Sequence, residues 1–110
     1  MDLDAALDRL GGQRSLLSDM IQFYLEDVPD LLAQLEQGVK AGDAALVERA
    51  AHSLKGLSAT FSAERAVAAA AAVEAMGRTK ELTDLAPAHE ALKTEIAALV
   101  EALQAHRTGG

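Results

Sequence analysis

Between residues 16 and 39 apolar side chains recur at three- and four-residue steps: Leu16, Leu17, Met20, Tyr24, Val28, Leu31, Leu32, Leu35 and Val39. That period belongs to an α-helix, not to a strand, whose faces alternate every second residue. A helix with one apolar stripe must bury it against another element. The segment therefore commits the chain to packing helix on helix. Composition agrees: 24 of the 110 residues are alanine, β-branched residues are few, and only 3% are aromatic. Alanine is the strongest helix former, so the profile is that of an all-α protein.

Five helical segments are expected. The first covers residues 4–10, with Asp2 or Asp4 as N-cap and Gly11-Gly12 as its stop. The second covers 13–41, with a kink or break at Pro29, which lacks an N–H and crowds the residue before it. Gly42 ends this segment and Asp43 caps the third, 44–60. The fourth covers 63–76, with Ser62 as a possible N-cap and Gly77 as the stop. The last starts at 83 or 84, places Pro87 in its first turn and ends near 105. The alanine run 68–72 reads as a packing face. Short connections predict an antiparallel up-down four-helix bundle, with the short additional N-terminal helix covering one end. One domain, 1–107, and a disordered tail, 108–110, complete the expected organisation.

Composition excludes several functions. Without cysteine there is no disulfide framework, thiolate metal site or Cys nucleophile. No apolar run reaches the roughly 18 residues of a membrane span, and no leader pattern opens the chain. A net charge of −7 without a basic cluster argues against a nucleic-acid surface. No phosphate-cradling GxxxxGK[ST] motif supports ATP binding. Glu26, Asp27 and Asp30 read as a solvated acidic face, and His89 and His106 as surface residues. The expected molecule is a cytoplasmic monomer without direct membrane contact.

The third segment carries the chemistry. At about 100° per residue, Leu46, Ala50, Leu54, Leu57 and Phe61 form one narrow stripe that faces the core. His52 falls opposite it, among Ala45, Glu48, Arg49, Lys55, Gly56 and Ala59. An exposed histidine is either idle or reactive. Lys55 at i+3 and Arg49 at i−3 favour an anion placed on the ring. Gly56 at i+4 costs about 1 kcal/mol relative to alanine inside a helix and clears space beside the imidazole. Ala45 and Ala59 keep the rest of the approach low. A neutral imidazole nitrogen is a nucleophile near pH 7, and this setting suits phosphoryl transfer. Glu48 would repel a phosphoryl group, so it should turn away or meet Arg49. Glu48 and His52 alone make no metal site.

The hexapeptide Ala51-His52-Ser53-Leu54-Lys55-Gly56 resembles the centre of histidine-containing phosphotransfer (HPt) domains of multistep phosphorelays. The resemblance extends through Leu7-Asp8-Arg9-Leu10-Gly11-Gly12, through the stretch 24–32 around Pro29, and through Gly42-Asp43, Val73-Glu74 and Gly77-Arg78. It implies a four-helix bundle with His52 as phosphoacceptor, Lys55 stabilising the phosphoryl group and Gly56 giving a partner access. Ala45, Glu48, Arg49 and Ala59 would lie in the partner surface. The implied partners are response-regulator receiver domains or a hybrid histidine kinase. The receiver would bring Mg²⁺, and this chain would bind no cofactor and act as a carrier rather than an enzyme. A phosphoacceptor domain of a chemotaxis-type kinase and a non-catalytic binding scaffold are the alternatives. Two features depart from the family: Ser62-Ala63 stands where Gly-Ala is common, and Ala66 and Ala69 replace larger apolar residues.

Overall fold

Turn chemistry divides the chain close to the expected points. The computed structural model describes residues 2–109, with side chains described as far as 107. Among them lie α1 (Leu3–Arg9), α2 (Arg14–Ala41), α3 (Ala44–Ala59), α4 (Glu64–Thr79) and α5 (Leu85–Gly109), and no strand. The expected disorder at 108–110 falls where side chains, and at Gly110 the backbone, lie outside the described residues. Asp2 caps α1 by accepting from the Ala5 N–H, and Asp43 caps α3 by accepting from the Leu46 N–H. Gly42 adopts φ 67°, the left-handed conformation that ends α2 at no side-chain cost.

Around the molecule α2 contacts α3, α3 contacts α4, α4 contacts α5, and α5 returns to α2, while α1 contacts α2. The result is a helical bundle. Its core draws Leu17, Ile21, Tyr24, Val28 and Leu35 from α2, and Leu92, Ile96, Leu99 and Leu103 from α5. From α3 and α4 it draws smaller residues, chiefly Val47, Ala50, Ala51, Leu54, Ala66, Ala70 and Val73. The Tyr24 ring meets Phe61 edge-on at 5.4 Å. The Tyr24 hydroxyl shares a 3.3 Å hydrogen bond with the buried Ser58 hydroxyl.

Four expectations need correction. Helix α2 is continuous through Pro29, with no break. An interior proline costs about 3 kcal/mol. Burial of Ile21, Tyr24 and Val28 before it and Leu35 after it contributes roughly 1.5–3 kcal/mol per large side chain. One buried face holds both halves in a single helical register, and Pro29 itself stands exposed.

Gly77 is not a stop. It is buried inside α4, which ends instead at left-handed Lys80, φ 61°. A Cβ at Gly77 would come within 2.7 Å of the Glu48 nitrogen and 2.8 Å of the Ala44 oxygen. The glycine is there because the α3 and α4 backbones touch.

Ser62 does not cap α4. The N-cap is Ala63, without a side-chain hydrogen bond. Ser62 takes the left-handed conformation at φ 52°, which costs a non-glycine residue about 1 kcal/mol. Its hydroxyl accepts from Arg9 Nη1 at 2.9 Å, while Nη2 donates to the carbonyls of Ala59 and Thr60. One guanidinium thereby fastens α1 to the carbonyl end of α3, where a cation is favoured.

His89 is buried rather than on the surface, and among the described residues its Nε2 has no hydrogen-bond partner. Burial pushes its pKa below the ordinary 6.5, Lys93 pushes the same way, and Glu90 and Glu36 only partly oppose them. The unfolded chain therefore binds a proton at His89 more readily than the folded one. Stability from this group is complete above pH 6.5 and falls as pH drops below it. Thermal unfolding followed by circular dichroism should show a melting temperature that declines from pH 7 to pH 5. His89→Leu should flatten that decline; an unchanged pH slope in the variant would disprove the assignment.

Candidate functional site

The buried face of α3 is wider than the expected stripe. Val47, Ala50, Ala51, Leu54 and Ser58 are buried, with Phe61 just beyond the helix, while Leu46 and Leu57 are only half-buried. Relative to expectation the face is turned by roughly 60° toward α4. The cause is the alanine-rich surface of α4, whose small side chains let α3 sink into it. His52 is still exposed, at 68% of its side chain, but now lies beside α4 rather than directly away from the core.

That rotation brings His52 to Glu74. The Glu74 side chain, only 9% exposed, is the one charged group on the buried face of α4. Its Oε2 lies 2.5 Å from His52 Nδ1, and its Oε1 accepts from Lys55 Nζ at 2.5 Å. Lys55 Nζ holds the Glu74 carboxyl below its usual pKa, His52 adds to this, and burial works against both. Glu74 is therefore ionised at neutral pH and can only accept hydrogen bonds. It follows that His52 Nδ1 carries the proton. In the neutral ring Nε2 then holds a free lone pair.

The other side of His52 is open. A groove between α2 and α3 is lined by Asp27, Asp30, Leu31 and Gln34 from α2, and by His52, Ser53, Gly56 and Leu57 from α3. Gly56 is exposed, and a Cβ built on it meets no atom within 4 Å. Packing gives no reason for a glycine there. Ala45, Arg49 and Ala59 are exposed and Glu48 is half-buried. Glu48 and Arg49 form no ion pair with each other among the described residues. No group of three His, Asp or Glu side chains is placed to hold a metal among the described residues, and no helix there is long and apolar enough to cross a membrane.

Sequence reasoning placed His52, Lys55 and Gly56 together and did not assign Glu74 a part. A signal was present. Glu74 is the one charged residue in the otherwise apolar stretch 66–77 of α4, next to Val73, one turn from Ala70 and close to Gly77. Asp27 and Asp30, read as solvated, are exposed but border the same groove as His52.

The model of the Hpt domain family matches residues 19–105. The chain belongs to the Hpt domain family, and its role is histidine phosphotransfer in a phosphorelay. Among solved structures, histidine-containing phosphotransfer protein B (HptB) from Pseudomonas aeruginosa PAO1 superposes with a TM-score of 0.88. It shares 23% identity, over 97% of this chain and 94% of that one, a likeness of fold. No curated protein matches the chain in sequence.

The tautomer of His52 can be read directly from imidazole ¹⁵N shifts. In the wild type the neutral ring should carry its proton on Nδ1. In Glu74→Ala the population should move toward the Nε2–H form. A wild-type ring already protonated on Nε2 would contradict the geometry.

Proposed function

We propose that His52 is the phosphoacceptor of this Hpt protein and that Nε2 is the reacting atom. The observation carrying the proposal is the Glu74 carboxylate on Nδ1, which leaves the Nε2 lone pair on an imidazole that is two-thirds exposed. A phosphoaspartate of a receiver domain would present its phosphorus in line with that lone pair. The N–P bond forms as the P–O bond to the aspartate breaks, and the carboxylate leaves. The ring becomes a phosphoimidazolium whose Nδ1–H stays on Glu74, so the positive charge that develops meets a fixed negative one. A second receiver would reverse the step and take the phosphoryl group onward.

Lys55 is the cation beside the ring, one-third exposed and held on Glu74. A small rotation of its flexible stem would bring it to the phosphoryl oxygens. Mg²⁺ and the acidic pocket that holds it would come from the receiver. The chain would act as a carrier rather than an autonomous enzyme, with response-regulator receivers or a hybrid histidine kinase as partners and with no nucleic-acid role. Its ring of long helices fits an antiparallel up-down four-helix bundle with α1 as the additional N-terminal helix. A monomer working in the cytoplasm suits this role.

A receiver domain charged with acetyl phosphate and Mg²⁺ tests the reading. Wild type should acquire acid-labile, base-stable phosphate, and His52→Gln none. Label persisting in His52→Gln would reject the assignment. Gly56 separates access from packing. Gly56→Ala should raise stability by about 0.5–1 kcal/mol, since the site is open and helical. Gly56→Leu should keep its fold yet accept phosphoryl at least about tenfold more slowly, because the added side chain occupies the approach.

A further inference from the structure

A second cleft lies where the start of α2 meets the end of α5. Arg14, Leu17, Ser18 and Ile21 from α2, with His106 and Arg107 from α5, line a cavity of about 170 Å³. Leu17 and Ile21 are buried beneath it, and the four polar residues are exposed around it. Arg14 precedes Asp27, the first residue of α2 in the groove beside His52, by 13 positions, which is about 20 Å along the helix axis. The two depressions are separate.

The charge of this cleft runs against that of the molecule. The chain has 17 acidic and 10 basic side chains, yet no acid lines the cleft. At about 100° per residue Asp19 is turned about 140° away from Arg14, and Glu101 about 140° away from His106. Arg14, His106 and Arg107 form no ion pair among the described residues. His106 and Arg107 sit in the last turn of α5, where the helix dipole favours cations. Arg14 has no such reason. It stands in the first turn of α2, where the dipole disfavours a cation, and that turn carries no acid and no side-chain cap to offset it. The partial charges of the two helix ends are opposite and largely cancel, so the side chains set the sign of the cleft.

The number of donors narrows the ligand. One arginine fork alone satisfies both oxygens of a carboxylate. Two guanidinium groups, an imidazole and a hydroxyl around one cavity offer more than a carboxylate can accept. They suit a group with three terminal oxygens and up to about two negative charges. We infer that this cleft binds a phosphomonoester dianion, with Arg14 and Arg107 on its terminal oxygens and His106 and Ser18 as further donors. The site is independent of His52 and of the phosphotransfer reaction.

Binding is followed in ¹H–¹⁵N spectra of the full chain titrated with phenyl phosphate at fixed ionic strength. Saturable shifts should gather at Arg14, Ser18, His106 and Arg107. Arg14→Gln and Arg107→Gln should each weaken binding about tenfold or more, the loss of one charge-assisted fork, and benzoate should bind less tightly than phenyl phosphate. Because Arg14 serves the ligand and not the fold, Arg14→Glu should melt at or above the wild-type temperature without ligand. It should also lose the rise in melting temperature that phenyl phosphate gives the wild type. Phosphoryl transfer from a receiver should run at the wild-type rate in all three variants. Vesicles of phosphatidylcholine with and without phosphatidic acid separate the sources of the dianion. Co-sedimentation that needs phosphatidic acid and Arg14 assigns a lipid headgroup, and phenyl phosphate binding without co-sedimentation assigns a soluble ester. Absence of binding to either probe, shifts centred on Lys55 and Gly56, affinity unchanged in both glutamine variants, or a lowered melting temperature in ligand-free Arg14→Glu overturns the proposal. Slowed phosphoryl transfer in these variants overturns the independence of the site.

Discussion

A carboxylate that is nine-tenths buried must be paired, because an isolated charge out of water costs several kcal/mol. Glu74 meets this requirement with two partners, His52 and Lys55, both from α3. Much else in the bundle serves that arrangement. Gly77 lets the backbones of α3 and α4 touch, Ala66 and Ala70 thin the contact further, and the carboxylate one turn before Gly77 comes within reach of the imidazole. Larger side chains at these positions would hold the helices apart and leave the charge without partners. The alanine content that marks the chain as helical is thus also what places the site.

The imidazole has two unlike flanks. Toward α4 it is fixed: a carboxylate selects the tautomer and a lysine keeps that carboxylate ionised. Toward α2 it is free: a groove with an open glycine and exposed carboxylates. A group transferred between proteins needs both. The acceptor atom must be oriented before the partner arrives, since effective molarity is lost with misalignment. The surface around it must be low enough for two folded domains to meet. The division between the two flanks meets both needs within one helix.

The residues that repeat with the helical period were legible in the sequence, and so were the turns. Gly42 and Asp43, Gly11 and Gly12, and Asp2 behave as their local chemistry dictates. The face of His52 was legible from the apolar stripe, but only coarsely. Projection onto a single helix ignores which neighbour it sinks into, and the small residues of α4 shifted the buried face. Pro29 and Gly77 were misread for a related reason. Both are helix breakers by local propensity, and tertiary contacts outweighed the propensity in each case. Glu74 stood out among its apolar neighbours, but its pairing with His52, 22 positions away, and the contacts of Arg9, about 50 positions away, were out of reach. Pairings of that kind follow from the folded geometry, not from spacing.

The way α1 is held has a consequence for how this sequence can drift. Two of the three Arg9 contacts end on backbone oxygens, those of Ala59 and Thr60, and the Asp2 N–H donates to a third, that of Phe61. A main-chain oxygen is the same whatever side chain its residue bears. The grip on Ala59 and Thr60 therefore does not depend on the side chains these two residues bear. The fastening depends on the identity of Arg9 and on the path of the chain it holds.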